Sequence, residues 1–124
     1  MTYLTIFIGS GLGGIFRFLI SSFIGVREVG NFPWHTIGVN LIGAFLIGVM
    51  VELLALKYSD STNLNYFLVT GFLGGFTTFS AFSLEGSLMW IKGDYLLLVS
   101  YISASIVGTI LLVLGGMWVA RLLV

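Results

Sequence analysis

Residues 71–83 read GFLGGFTTFSAFS. The stretch packs three glycines, four phenylalanines, two threonines and two serines into the middle of an apolar run. That run, residues 64–91, is 28 residues long. As one helix it would reach about 42 Å, against a hydrocarbon core of about 30 Å. Its midpoint falls between Thr77 and Thr78. Adjacent glycines and β-branched threonines are poor helix formers. The expected structure is a discontinuous helix. A first half ends near Gly74, a second begins near Thr78, and the break at 74–78 lies near the bilayer midplane.

A break at that depth exposes backbone groups that lipid cannot satisfy, so it must be buried in protein or line a cavity. The first half would end in unpaired carbonyls and the second would begin with unpaired N–H groups. Broken helices in transporters use these ends to hold cations and anions. The structural alternative is a simple kink closed by Thr and Ser hydroxyls.

The rest of the chain agrees with a membrane reading. Hydrophobic residues make up 58% of its 124 residues and charged residues 8%, where soluble domains carry about 25% charged residues. The length sets a single domain as the expectation. Formal net charge is +0, which points to no nucleic acid or acidic partner. With no Cys there is no disulfide or thiolate chemistry. A single His and scattered carboxylates do not suggest a zinc site, and no enzyme activity or catalytic residue is expected. The first apolar segment lacks a basic leader, since no Lys or Arg precedes Arg17. It is read as part of the fold rather than as a removable signal.

Four spans are expected, at residues 3–24, 33–56, 64–91 and 95–122, joined by short connections at 26–32, 57–63 and 92–94. Pro33 suits the start of the second span. Trp34, Tyr58, Tyr66, Trp90, Tyr95 and Trp118 fall near span ends, as interfacial aromatics do. Orientation normally follows Lys and Arg. Here Lys57 and Arg121 lie on the side of the termini, and Arg27 and Lys92 on the other. Arg17 tips the balance only slightly. Such near-symmetry predicts dual topology, in which copies insert both ways and pair antiparallel. The plain alternative is a weakly biased protein oriented by a partner.

An antiparallel dimer has its two-fold axis in the membrane plane, so midplane breaks from two copies would meet there. Their carbonyls could surround one buried, structural cation of low charge.

Glycine is abundant, with 17 in the chain. Gly9 and Gly13, Gly71 and Gly75, and the series Gly38, Gly43 and Gly48 fit close packing of membrane helices. The GSGLGG at 9–14 matches a dinucleotide fingerprint, but that motif needs a preceding strand. Within an apolar span it is read as helix packing.

The polar residues within the spans form a short set. Asn40 lies mid-span and must be satisfied there, either by a neighbouring helix or by an anion. Tyr101, Ser105 and Thr109 recur every fourth residue, which puts three hydroxyls on one helix face. They read as a polar track or as glue between helices. Phe79 and Phe82 share a face, and the electropositive edge of a phenyl ring can touch an anion without trapping it. Two phenylalanines in a membrane helix otherwise mean packing. Glu85 is placed near the hydroxyls, and membrane carboxylates tend to be functional. Glu52 is read as reaching the interface. Arg17 either snorkels or draws anions into a vestibule. His35, beside Trp34, is read as solvated or capping.

Over its whole length the chain resembles the Fluc, or CrcB, fluoride channels. The residues that carry the likeness are GSGLGGIFRF with Arg17, HTIGVNLIGAFLIG with Thr36 and Asn40, GGFTTFS at 74–80 with Phe82, and the track Tyr101, Ser105, Thr109. The resemblance implies an all-α, four-helix membrane protein working as an antiparallel dual-topology homodimer. It implies two fluoride pathways and passive release of fluoride from a bacterial cytoplasm across the inner membrane. It also implies a central structural sodium on the backbone carbonyls of Gly74 and Thr77. Phe79, Phe82 and Asn40 would line the fluoride path, with Thr36, Ser80, Tyr101, Ser105, Thr109, Glu85 and Arg17 contributing along it. The chain departs from the usual pattern at Ala81, His35, Phe18, Ser10 and Gly14.

Two other readings compete. A small dual-topology multidrug exporter needs a carboxylate in its first helix to hold cations, and here that helix has Arg17 and no Asp or Glu. A non-transporting assembly subunit explains the glycines but not the break or the hydroxyl track.

Overall fold

Water is absent from the core of a bilayer, so each apolar run must satisfy its own backbone by coiling into helix. The computed structural model describes residues 1–25 and 32–124, and its long elements are all helical. Helix α1 is Thr2–Ile24 and α2 is Trp34–Lys57. Residues 62–76 form α3, Phe79–Lys92 form α4 and Tyr95–Leu122 form α5. Four segments are long and apolar enough to cross a membrane: Thr2–Ile24, Trp34–Lys57, Thr62–Lys92 and Tyr95–Leu122. Arg27, counted in the topology argument, lies outside the described residues.

The third segment is broken, but more narrowly than its glycines suggest. Gly74–Phe76 is still helical, so the expected break at 74–78 shrinks to two residues. Thr77 has ψ 157° and Thr78 has φ −146°, ψ 123°, both extended. Thr78 then caps α4, its Oγ1 accepting from the Ala81 N–H at 3.2 Å. Threonine stops the helix because its hydroxyl can serve as an N-cap, taking a donor that would otherwise be orphaned. Upstream, Tyr66–Leu73 winds as a π-helix, a widened form frequent at functional sites.

The glycines serve packing. A Cβ on Gly75 would run into the Ser10 carbonyl, and one on Gly13 into the Phe72 carbonyl. A Cβ on Gly9 would come within 3.0 Å of the Gly71 Cα. The two G-x-x-x-G patterns therefore face each other and let the α1 and α3 backbones touch, the close approach that membrane helices rely on. A second seam joins α2 to α5, where Gly48 abuts the Val113 carbonyl and Gly116 the Phe45 carbonyl. Helix α4 leans on α5. It ends at Gly93, whose φ of 80° suits a residue without a Cβ.

The protomer buries little. Ile37, Met89 and Tyr101 form its one buried cluster among the described residues, backed by Phe82, Leu97 and Leu98. Large apolar side chains cover the outside of α1 and α5. At the end of α2 the structure revises one expectation. Glu52 is buried rather than interfacial, and its Oε1 accepts from Arg121 Nε at 2.6 Å.

Candidate functional site

The break is held from α2. Asn40 Oδ1 accepts from the Thr78 N–H at 2.8 Å, and Asn40 Nδ2 donates to the Thr78 carbonyl at 2.9 Å. In an unbroken helix that N–H would go to the Gly74 carbonyl. Asn40 thus replaces one turn of helix, and the Gly74 carbonyl loses its usual partner. An amide carries two N–H donors, so one remains on Asn40 after the bond to Thr78. From the other side, Arg17 Nη1 donates to the Thr77 carbonyl at 3.3 Å.

Two open clefts flank the break. One, of about 340 Å³, is lined by Asn40, Thr77, Thr78, Phe79, Phe82, Ser105 and Thr109 among others. The rings of Phe79 and Phe82 lie 5.5 Å apart between centroids. Phe79 is 77% exposed, projecting from the protomer. Tyr101 stacks behind Phe82 at 5.0 Å.

The hydroxyl track of α5 divides into three situations. Tyr101 is fully buried and its hydroxyl is committed to Glu85. Thr109 turns its hydroxyl back onto the Ser105 and Ile106 carbonyls of its own helix, at 2.6 and 3.1 Å. Only the Ser105 hydroxyl is left buried with no partner among the described residues. Spacing put these three on one face; the local back-bond that removes Thr109 as a ready donor is not visible in spacing.

The other cleft, of about 530 Å³, is lined by Arg17, His35, Thr36, Thr78, Ser80 and Glu85 among others. At its heart the Glu85 carboxylate accepts two hydrogen bonds and faces an imidazole. Oε1 accepts from Thr36 Oγ1 at 2.6 Å and faces His35 Nε2 at 3.0 Å, while Oε2 accepts from Tyr101 at 2.6 Å. A carboxylate buried this far is tolerable because charge-assisted bonds replace its water. Sequence reasoning read Glu85 as near the hydroxyls but missed His35, which is half-buried on Glu85 rather than solvated or capping. Its only signal was adjacency to Thr36. Ser80 shares this cleft and contacts Thr78 Oγ1 at 3.3 Å. The residues expected along the path therefore fall into two clefts, with Thr78 bordering both, except Tyr101, which is buried and lines neither.

Among the described residues, no cluster of His, Asp and Glu side chains could hold a metal ion.

Residues 4–117 match the family model described as CrcB-like protein, Camphor Resistance (CrcB). The chain belongs to the CrcB family. Among its relatives, fluoride-specific ion channel FluC of Agrobacterium fabrum is 45% identical over 91% of this chain and 90% of its own length. FluC of a Chelativorans species is 43% identical over 92% and 91% of the two chains. FluC of Granulibacter bethesdensis is 44% identical over 92% of each. The match reaches into every helix described above and covers both halves of the broken one.

Proposed function

We propose that this protein is a fluoride-selective channel of the bacterial inner membrane, working as an antiparallel dual-topology homodimer and releasing fluoride passively. The observation that carries the reading is one cleft holding Asn40, two phenyl rings and an unpartnered Ser105 hydroxyl beside a helix break. Kinship with proteins named for fluoride conduction gives that chemistry its ion.

Fluoride is small and strongly hydrated, so a pathway must replace its water without binding it tightly. The Arg17 guanidinium supplies positive potential beside the break. The spare Asn40 N–H and the Ser105 hydroxyl donate weak, separate bonds. Phe79 and Phe82 offer ring edges between them. Thr36 and Tyr101 donate to the Glu85 carboxylate and hold it in place beside the Arg17 cleft. Several weak sites in series let the ion leave as readily as it binds.

The ring of Phe79 supports a second copy, because it stays largely exposed although it packs on Phe82, and a second copy would cover it. Balanced Lys and Arg support insertion both ways. With the break near the bilayer centre, two copies would bring their Gly74 and Thr77 carbonyls to one axis. Of these neutral oxygens, the Gly74 carbonyl has lost its helical partner and would be free for a structural sodium, while the Thr77 carbonyl would have to share it with the Arg17 guanidinium. Sodium would contribute fixed positive charge between the two pathways.

The test is fluoride efflux from liposomes holding only this protein, with a potassium ionophore clamping the voltage and chloride as control. Fast fluoride release without chloride release is expected. Equal release of both ions, or none, sinks the reading. For topology, a C-terminal tag should be reached by a membrane-impermeant label from both faces, and labelling from one face alone excludes dual insertion.

A further inference from the structure

The Glu85 carboxylate does not need three donors to be satisfied. Thr36 and Tyr101 already take one oxygen each at 2.6 Å, and His35 adds a longer contact of 3.0 Å to the oxygen that Thr36 occupies. His35 differs from the other two in chemistry. A hydroxyl there is neutral throughout the physiological range, whereas an imidazole is the side chain whose charge changes within it. Both His35 and Glu85 remain partly open to the cleft, with side chains 18% and 19% exposed. Both border the same open cleft as Arg17.

Among the described residues, the titratable and charged groups around this imidazole are few. Helix α4 contributes Glu85, α5 contributes Tyr101 through its bond to Glu85, and α1 contributes Arg17 across the same cleft. The other acidic residue of α2, Glu52, is paired with Arg121 near the C-terminal end of its helix. With His35 neutral, Glu85 leaves one net negative charge beside the single Arg17 cation. With His35 protonated, the pair with Glu85 is neutral and the Arg17 charge is unopposed. An anion approaching the break meets balanced charges in the first state and a net positive charge in the second, and a difference of that kind alters local ion concentration strongly.

We propose that His35 is a proton-operated positioning residue that sets the charge of the Arg17 cleft, so that anion conduction rises as pH falls. The inference rests on the fluoride-channel reading above. It needs no change of fold, because Thr36 and Tyr101 keep the carboxylate in place in both states.

Single-channel currents in planar bilayers test it, with equal fluoride on both sides and pH stepped together from about 8.5 to about 6, across the range where imidazole titrates. Current counts only charged fluoride, so hydrofluoric acid crossing the lipid does not register. The wild type should conduct several-fold more at the acid end. His35→Gln keeps an N–H donor toward Glu85 but cannot titrate, and should carry a current that does not change with pH. A pH-independent wild type overturns the inference, as does an equally pH-dependent His35→Gln. A wild type silent at every pH overturns the channel reading itself instead. Should His35→Gln fail to assemble, the chain's one histidine gives a single imidazole signal by isotope-labelled NMR in nanodiscs. Its midpoint must coincide with that of the wild-type current, and a ring that does not titrate over the interval refutes the proposal.

Discussion

Asn40 of α2 binds both the N–H and the carbonyl of Thr78, at 2.8 and 2.9 Å. One side chain thus satisfies both backbone groups of a residue that the break has removed from helix. Replacing Asn40 by Ala would leave both groups without their partner. Leaving a buried polar group unpaired costs about 1–3 kcal/mol. Asn40→Ala should therefore lower the unfolding midpoint in detergent as well as stop fluoride flux. Asn40→Asp should block flux more completely than it lowers the midpoint. It keeps the acceptor for the Thr78 N–H but sets a negative charge in the cleft. Wild-type flux through Asn40→Asp would remove Asn40 from the pathway.

Ser105 offers the opposite balance. Its hydroxyl is buried with no partner among the described residues, so it contributes desolvation cost and no bond. Ser105→Ala should leave stability within about 0.5 kcal/mol of wild type or raise it. Flux should still fall if the ion uses that hydroxyl. Unchanged flux together with unchanged stability would show that the atom serves neither.

The glycine seams separate contact from composition. Gly13→Ala puts a methyl against the Phe72 carbonyl and Gly48→Ala one against the Val113 carbonyl. Backbone cannot yield as a side chain tip can, and overpacking of this kind costs about 1–3 kcal/mol. Gly115→Ala meets nothing within 4 Å and should be neutral or slightly stabilising. Thermal unfolding in one detergent compares all three. Equal effects at the three sites would mean that the seams do not hold the bundle.

Phe79 is expected to matter for conduction rather than for folding of the protomer. Its ring is 77% exposed and makes one ring contact, to Phe82 at 5.5 Å. Phe79→Ile keeps bulk and apolarity but removes the electropositive edge. The variant should assemble with normal size on gel filtration and pass fluoride poorly. Normal flux would refute the role of the phenyl edge.

Much of this protein was legible in order of residues alone. Apolar runs of the right length fixed the membrane spans, because lipid permits few other ways to satisfy a backbone. The G-x-x-x-G spacing at Gly9, Gly13, Gly71 and Gly75 identified where helices touch. Glycine and threonine at 74–78 marked the broken helix. What the sequence could not apportion was which of them breaks it. Gly75 packs against Ser10, both glycines stay helical, and Thr77 and Thr78 carry the break. Propensity disfavours helix at all of them alike; tertiary contact decides.

The site shows the same division. Residue types and periodicity placed Tyr101, Ser105 and Thr109 on one face, and Phe79 with Phe82 on another, because one helix is a rigid ruler. Pairings across helices obey no such ruler. That Asn40 closes on Thr78 and that Glu85 draws in Thr36, Tyr101 and His35 are outcomes of how separate helices settle against each other. Local sequence determined what each helix presents, since the period of a helix is fixed. Only the tertiary structure decided which presented groups meet, since that depends on the approach the glycine seams allow.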